Sequence, residues 1–287
     1  MKWKTSRFLL DLATPKVMGI VNLTPDSFSD GGLRVDVSSA LQHCEKLLRD
    51  GADILDIGAE STRPGAAAVT LEEELARLVP VLREAVHLGV PVSVDTYKPD
   101  VMQVALDLGA DIINDVWALR WHQQATDSLT ATQVVARHPA CGVCLMHMQG
   151  EPSTMQLRPM QGDAVAQVKL FLQKAVSELH RAGVEKSRIV IDPGIGFGKS
   201  VAQNFALLAR QADLLELACP LLVGWSRKSS LAALVGVTTG SVVGDPDERV
   251  VASATAAVLA VERGASVVRV HDVLETVQAL KVLSAIR

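Results

Sequence analysis

The chain has 287 residues, of which 48% are hydrophobic and 21% charged, so a large core can form and wholesale disorder is excluded. The net charge is −4, aromatic residues make up only 3%, and no basic run exceeds two residues. We therefore expect no nucleic-acid partner, because binding nucleic acid needs a basic surface and stacking side chains. The longest uncharged apolar stretch, residues 250–261, is too short and too polar to span a bilayer, so we expect no membrane association.

The start of the chain and its cysteines indicate the cellular compartment. Lys2, Lys4 and Arg7 precede a short apolar run that Asp11 interrupts, so no signal-peptide core is predicted. Four cysteines in a chain of this size do not make a disulfide scaffold. We therefore expect a cytoplasmic protein.

Eight short apolar or β-branched runs recur along the chain and are predicted to be strands. They cover residues 17–22, 53–58, 91–96, 111–116, 142–147, 188–194, 221–226 and 266–271. Their starts are on average about 36 residues apart, which suits one strand and one crossover helix per unit. Each run is continuously apolar, as in parallel strands covered on both faces. Because no linker separates the units, we predict an α/β protein with one domain over residues 1–287, a single (β/α)8 TIM barrel whose core starts at about residue 15. A doubly wound open sheet is the alternative.

The segments between these runs have helical periodicity. Leu71, Leu75, Leu78 and Leu82 recur at spacings of three and four, with charged residues on the opposite side. A glycine followed by alanine precedes three predicted strands, at positions 51, 109 and 264, which predicts a left-handed helix end that leads directly into the strand. The N-terminal 16 residues are predicted to form a lead-in strand or cap, and residues 117–130 an enlarged loop.

Polar residues stand at the carboxyl end of every predicted strand, which is where barrel enzymes carry their sites. They are Asn22, Asp56, Asp95, Asn114, His147, Asp192, the group 226–228, and Arg269 with His271. One such residue could be a solvated strand end. A ring of eight is hard to explain in that way, because buried charge is costly unless it is paired or ligated.

The charges in this ring are mixed, which indicates a substrate with two different parts. Arg63, Lys228 and Arg269 suit an anionic part such as a phosphate or diphosphate. The acidic and amide members suit a part with several N–H groups. A pterin, a purine and a guanidine all meet that description, and the residues alone do not distinguish them.

Two motifs that resemble ligand sites also have structural explanations. Residues 192–200 nearly match a phosphate loop, but Pro193 stands where the first glycine is required. Their glycines therefore either give a ligand close access to the backbone or simply form a tight loop. Cys141 and Cys144 point to opposite faces of one strand and cannot hold one metal, so we predict that they are core residues.

The two histidines and the loops of the ring also allow two explanations. His147 could be a base, but a histidine bonded to nearby backbone is favoured. His271 and Arg269 share a strand face and could bind an anion or neutralise a carboxylate. Residues 226–229 begin a predicted helix and form either an anion site around Lys228 or an ordinary N-cap. The loops at 24–32 and 61–65 could close over the substrate, with Phe28 as an aromatic contact.

Eight stretches, taken together, resemble the dihydropteroate synthase family. In chain order they are MGIVNLTPDSFSDGG (18–32), GAESTRPG (58–65), SVDT (93–96), IND (113–115), LMHM (145–148), DPGIGFGK (192–199), SRKS (226–229) and RVHD (269–272). Any one alone is weak, whereas their joint occurrence in family order is highly specific. The resemblance implies a TIM-barrel transferase of folate biosynthesis, the sulfonamide target. It would condense 4-aminobenzoate with (7,8-dihydropterin-6-yl)methyl diphosphate to give 7,8-dihydropteroate and diphosphate.

The resemblance also implies roles for individual residues. The pterin edge would be held by Asp95, Asn114, Asp192 and Lys228, and the diphosphate by Asn22, Thr62, Arg63, Arg269 and His271. The aminobenzoate pocket would be formed by Thr62, Pro64, Phe197 and Ser229 and closed by Phe28. Asn22 would bind Mg²⁺, which takes few protein ligands beside phosphate and water, and the catalytic residues would be Asp95, Arg63 and Lys228. A homodimer packed through the late helices is implied as well.

Other functions stay open beside this one. A pterin-binding methyltransferase barrel would share the acidic pocket but should need neither Arg63 nor the 226–229 anion site. A catalytically silent pterin-binding paralogue should have lost a diphosphate or loop residue, and none is lost. Tyr97, Trp225 and the stretch 117–121 depart from the family pattern without removing a predicted ligand.

Overall fold

Eight parallel strands form the centre of the molecule, seen in a computed structural model that describes residues 1–24, 36–61, 68–121, 129–239 and 246–286. The strands are β3 (Lys16–Asn22), β4 (Ile54–Gly58), β5 (Val92–Asp95), β6 (Ile112–Asp115), β7 (Gly142–Met146), β8 (Ile189–Asp192), β9 (Leu222–Val223) and β10 (Val267–Val270). Each coincides with a predicted run. Most are shorter than predicted at one or both ends, whereas Asn22, Asp95, Asp115 and Asp192 are still the last residues of their strands.

The sheet closes on itself. Neighbouring strands follow chain order from β3 to β8, and β10 pairs with both β3 and β9. A parallel bridge between Ile191 and Leu221 then joins β8 to the segment that enters β9. The predicted barrel is therefore confirmed over the open-sheet alternative. Strand residues are almost all buried, as expected for parallel strands covered on both faces.

Helices surround this barrel. They are α1 (Val37–Arg49), α2 (Leu71–Ala85), α3 (Pro99–Asp107), α4 (Ala131–Arg137), α5 (Ala164–Arg181), α6 (Val201–Ala209), α7 (Ser229–Thr239), α8 (Val250–Glu262) and α9 (Val273–Ser284). Short 3-10 turns occupy Lys186–Arg188, Gln211–Leu217 and Pro246–Arg249. Within the described ranges, no helix combines the length and the apolar character needed to cross a membrane.

Local sequence signals explain where these helices start and stop. Thr70 and Glu73 form a reciprocal capping box at the start of α2, and the predicted leucine stripe buries Leu78 and Leu82 against the barrel. The glycines at 51, 109 and 264 have φ angles of +105°, +100° and +94°, so the predicted left-handed helix ends are confirmed.

The N-terminal residues close the barrel at the amino ends of its strands. The strands β1 (Lys2–Lys4) and β2 (Leu9–Asp11) pair antiparallel and place Trp3, which is fully buried, against inward-pointing residues such as Met18 and Ile54. Arg7 adds a bidentate pair with the buried carboxylate of Asp111, at 3.0 and 2.6 Å. The predicted lead-in cap is thus confirmed, and within the described residues it covers the amino ends of the strands.

Candidate active site

A cavity of about 640 Å³ opens at the carboxyl ends of the barrel strands. All of the described residues that were predicted to bind substrate or metal line it: Asn22, Asp95, Asn114, Asp192, Phe197, Lys228, Ser229, Arg269 and His271. Phe28, Thr62, Arg63 and Pro64 lie outside the described residues. Strand register explains this convergence, since Asp95 and Asn114 are paired neighbours on β5 and β6, and Met146 pairs with Asp192 across β7 and β8.

The floor of the cavity is acidic and deeply buried. Asn114 and Asp192 are only 5% and 6% exposed. Burial raises the pKa of Asp192 to about 6, against the opposing effects of the Gly194 N–H and Lys228. Burial likewise raises the pKa of Asp95 to about 7, although the nearby Arg269 lowers it. Near neutral pH both carboxylates are therefore close to their titration points, so a bound cation or N–H donor can readily favour the ionised form.

Arg269 neutralises carboxylates in this structure. Its Nε donates to Asp56 at 2.5 Å and its Nη2 to Asp95 at 2.7 Å. Burial alone would lower the pKa of Arg269, but the attraction of Asp56 and Asp95 raises it overall. Of the two possibilities left by the sequence for Arg269, the structure therefore realises carboxylate pairing. His271 is bonded to Ser226, whose Oγ lies 3.0 Å from its Nδ1, so the imidazole is oriented by the turn that follows β9.

The glycine-rich stretch after β8 wraps tightly around the end of β7. Gly194 has φ +67°, and a Cβ at this position would overlap the carbonyl oxygen of His147. Its N–H donates to Asp192 at 2.7 Å, and its carbonyl accepts from Phe197. The glycine is therefore needed both for backbone conformation and for close approach, and it links the acidic floor to the predicted aminobenzoate pocket.

Lys199 holds this stretch against the β7 loop from inside the protein. The side chain is 2% exposed, and its ammonium donates to the carbonyls of Gly194 and Phe197 at 2.8 and 3.1 Å and to that of His147 at 3.3 Å. It also lies 2.9 Å from Nδ1 of His147. Burial and the charge of Lys199 lower the pKa of His147 to about 3. His147 is a buried neutral histidine bonded to its surroundings, as favoured from the sequence.

The turn before α7 places Lys228 in the cavity. Arg227 adopts φ +58°, which is costly for a residue other than glycine, and its surroundings hold it there. Its guanidinium pairs with Asp272 at 2.7 and 3.2 Å, its N–H donates to Ser253, and its carbonyl accepts from Arg249. The Lys228 ammonium lies 4.3 Å from the centroid of the Phe197 ring, so the predicted pterin and aminobenzoate contacts meet at one point.

Several cavity residues were not assigned a role from the sequence. Met146 and Met155 supply apolar wall, and the latter comes from the long β7–α5 loop, where neither position nor periodicity marks it. Gln156, next to it, donates to the carbonyl of Gly196 at 2.6 Å. Arg249 also lines the cavity. Only folding brings these distant segments to the rim.

The departures from the family pattern are packing features beside the cavity. The Tyr97 hydroxyl donates to Glu60 at 2.9 Å, and its ring lies 5.2 and 6.3 Å from the rings of Trp121 and Trp117. Trp225 is buried against Phe205 in the layer between barrel and helices. The cavity lining formed by the described residues includes Glu60 but none of these five aromatic residues. Cys141 and Cys144 are buried in separate clusters, as predicted.

The donors available for a metal are few. The described part of the chain contains no group of three or more His, Cys, Asp or Glu side chains that could hold an ion. Asn22 lies at the end of β3 and lines the cavity on the side of Arg269 and His271. Such a donor set suits only an ion that takes most of its ligands from substrate and water.

Comparisons with known proteins agree with this site. A family described as "Pterin binding enzyme" matches residues 18–271. The dihydropteroate synthase of Neisseria meningitidis serogroup B is 48% identical over 99% of this chain and 97% of its own length. The Xanthomonas albilineans dihydropteroate synthase with 4-aminobenzoic acid has a TM-score of 0.88 at 46% identity, covering 100% of this chain and 98% of that one. The Burkholderia cenocepacia enzyme complexed with 7,8-dihydropteroate has a TM-score of 0.86 at 46% identity, covering 100% and 96%. The chain therefore belongs to the dihydropteroate synthase family of pterin-binding enzymes.

Proposed function

We propose that this cavity performs its family's reaction through the residues assigned above. The chain is a transferase of the dihydropteroate synthase type, which joins 4-aminobenzoate to (7,8-dihydropterin-6-yl)methyl diphosphate and releases 7,8-dihydropteroate and diphosphate. The observation that carries the residue assignment is that all of its described members converge on one cavity from different strands. Bound 4-aminobenzoic acid and 7,8-dihydropteroate in two relatives support the same substrate classes here.

The acidic floor would bind the pterin edge. Asp95 and Asp192 offer acceptors to ring and exocyclic N–H groups, and the amide of Asn114 can both donate and accept. Asn114 Nδ2 donates to Asp56 at 3.2 Å, which fixes the plane of that amide before substrate arrives. Lys228, from the turn after β9, would supply a donor to a ring acceptor. Because these groups are held by strands and short bonded turns, little ordering is left for the moment of binding.

The chemistry follows from how charge moves as the bond to diphosphate breaks. The C–O bond electrons leave with the diphosphate, so positive charge builds on the pterin methylene while negative charge builds on the leaving oxygens. The ionised carboxylate of Asp95 would stabilise the developing cation. The neutral aryl amine then forms the C–N bond and releases its proton. Its nitrogen needs positioning more than it needs a strong base.

The diphosphate would lie toward Asn22, Arg269 and His271, together with Thr62 and Arg63. Mg²⁺ suits this region, because the single amide of Asn22 leaves most positions of an octahedral ion to diphosphate and water. When bound, Mg²⁺ would neutralise charge on the leaving diphosphate. His271, oriented by Ser226, can donate to a phosphate oxygen when it is protonated.

The aminobenzoate would occupy the outer part of the cavity. Phe197 is half-buried and Ser229 exposed, in contrast to the deeply buried pterin floor. The carbonyl of Phe197 is fixed by Lys199, so the ring stands in a defined place beside Lys228. Phe28, Thr62 and Pro64 would complete this pocket.

The reaction is tested by measuring dihydropteroate and diphosphate formation with Mg²⁺, with and without 4-aminobenzoate. We expect product only when both substrates are present, and a loss of about 100-fold in kcat/KM for Lys228→Ala. Lys174→Ala, which removes an exposed lysine from α5, is the matched control and should retain full activity. Binding of the pterin substrate without product would instead indicate a silent paralogue, and an unchanged Lys228→Ala enzyme would overturn the assignment of that residue.

We also propose a cytoplasmic homodimer. The late helices support it, because α7 and α8 are mostly apolar and expose Leu234 (57%) and Val251 (79%), while α9 exposes Val282 (69%). Sedimentation of the full chain should give twice the monomer mass, and Val251→Glu should shift it toward the monomer. A monomer at all concentrations would contradict the proposal.

A further inference from the structure

Asp56 lies beneath the cavity and contacts two residues that line it. It belongs to β4, its side chain is fully buried, and it points into the barrel like Ile54 two residues earlier. Its Oδ2 accepts from Arg269 Nε at 2.5 Å and from Asn114 Nδ2 at 3.2 Å. Asp56 itself contributes no surface to the cavity that the described residues enclose. It therefore touches the substrate-binding groups without reaching the substrate.

Arg269 is shared between two carboxylates of unequal burial. Nε binds Asp56, whose side chain is 0% exposed, and Nη2 binds Asp95 at 2.7 Å, whose side chain is 10% exposed. Two negative charges and one positive charge leave this corner with a net charge of −1 when both carboxylates are ionised. Without Asp56, the guanidinium would pair with Asp95 alone and neutralise it fully.

The other carboxylate oxygen of Asp56, Oδ1, is buried without compensation from the described residues. Oδ1 has no hydrogen-bond partner among the described residues, and the same holds for Oγ of Ser93, which faces Asp56 in the register of β4 and β5. Buried carboxylate oxygens are normally satisfied by several donors. Arg269 and Asn114 therefore supply all of the compensation that the described residues give to this carboxylate.

From this geometry we infer that Asp56 is a positioning residue for the transfer reaction, which holds Arg269 and Asn114 and leaves the carboxylate of Asp95 only partly neutralised. The methylene of the pterin becomes positive only as diphosphate leaves. A net negative charge beneath it favours the transition state over the bound substrate and so raises kcat rather than lowering KM. The inference rests on the proposed function above, which the unmodified enzyme tests separately.

The charges around Asp95 make the pH dependence of kcat/KM a second measurement that tests the role of Asp56. Burial raises its pKa to about 7, Arg269 lowers it from β10, and Asp56, Asp115 and Glu74 raise it from β4, β6 and α2. Removal of the charge of Asp56 takes away one repulsion and releases Arg269 to pair more closely. The acid limb of the kcat/KM profile, which reports essential groups of the free enzyme, should then move to lower pH.

The test compares Asp56→Asn with Asp111→Asn. Asp111 is the matched control, because it is equally buried and also paired with an arginine, Arg7, but lies at the closed end of the barrel. For Asp56→Asn we expect kcat to fall about 10- to 100-fold at nearly constant KM, with the acid limb shifted to lower pH. Asp111→Asn should lower the unfolding temperature and leave kcat and the pH profile unchanged.

Two results would overturn the inference. One is an Asp56→Asn enzyme with the parental kcat and pH profile. The other is a loss of activity in both variants that merely follows their folded fraction, as a structural role would give. If Asp56→Asn does not fold, Asp56→Ser replaces it, because the smaller side chain leaves room for a water to satisfy Arg269 and the same kcat and pH outcomes are expected.

Discussion

Replacement of Gly194 by alanine should damage the site far more than the fold. At φ +67° a side chain costs about 1–2 kcal/mol, because a Cβ crowds the following carbonyl in the left-handed region. The added Cβ would also overlap the carbonyl oxygen of His147. Relief of that overlap requires the two loops to separate by more than about 1 Å, a misplacement of the size that costs roughly 100-fold in rate. The bonds from Gly194 to Asp192 and Phe197 carry the shift to both substrate pockets.

Gly183→Ala separates the conformational penalty of a side chain at positive φ from the steric overlap with a neighbouring loop. Gly183 follows α5 with φ +95°, and nothing lies within 4 Å of an added Cβ. Both variants therefore carry the conformational penalty, which calorimetry should detect as a fall of about 2–4 °C in Tm per kcal/mol. Steady-state assays of dihydropteroate formation should find the loss of about 100-fold in kcat/KM only in Gly194→Ala. An unchanged kcat/KM in Gly194→Ala, or an equal loss in Gly183→Ala, would refute the steric reasoning.

Arg7→Ala should lower the free energy of unfolding by about 2–3 kcal/mol, because the buried carboxylate of Asp111 loses its cation. Urea unfolding measures this change, and an unchanged midpoint would contradict the pairing of Arg7 with Asp111. Lys199→Met should cost about 3 kcal/mol, because it removes the donor of two buried carbonyls and one partly buried carbonyl. It should also raise KM for 4-aminobenzoate, because the Phe197 carbonyl loses its donor, and a stability loss without any change in KM would exclude that link. Burial raises the pKa of Asp192 to about 6, so the folded state holds a proton that the unfolded chain releases from about pH 4 upward. The free energy of unfolding should therefore decline as pH rises from about 4 to about 6. In Asp192→Asn this decline should be less steep, and identical slopes in both proteins would contradict the raised pKa of Asp192.

The barrel could be predicted because its signals are local and repeated. Continuous apolar runs recur eight times, and the segments between them have helical periodicity. The glycines at 51, 109 and 264 mark where helices stop. The register that places Asp95 beside Asn114 follows once the strands are parallel and in order. Position at a strand end was thus enough to find most of the polar cavity residues, although Asp56 and His147 were also in the predicted ring and lie beneath or beside the cavity instead. Phe197 and Ser229 were named only through the family resemblance.

The partners of those residues could not be predicted, because residue type does not specify which distant group a side chain meets. Arg269 and His271 share a strand face, yet Arg269 binds carboxylates 213 and 174 residues away in sequence. Lys199 looks like part of a phosphate loop, but its ammonium is turned inward onto carbonyls. For the same reason, the sequence does not show which residues of a long loop without periodicity will line the cavity, as Met155 illustrates.

The β1–β2 hairpin, with its buried Trp3, covers the amino ends of the strands, whereas the described cavity opens at their carboxyl ends. Substrates that enter by this opening would pass the outer subsite before they reach the deeper one. Asn114 and Asp192, at the bottom, are 5% and 6% exposed, whereas Ser229 at the rim is exposed. An aminobenzoate that binds first would stand in the path of the pterin. Because the hairpin covers the opposite end of the barrel, we expect compulsory-order kinetics in which the pterin substrate binds first.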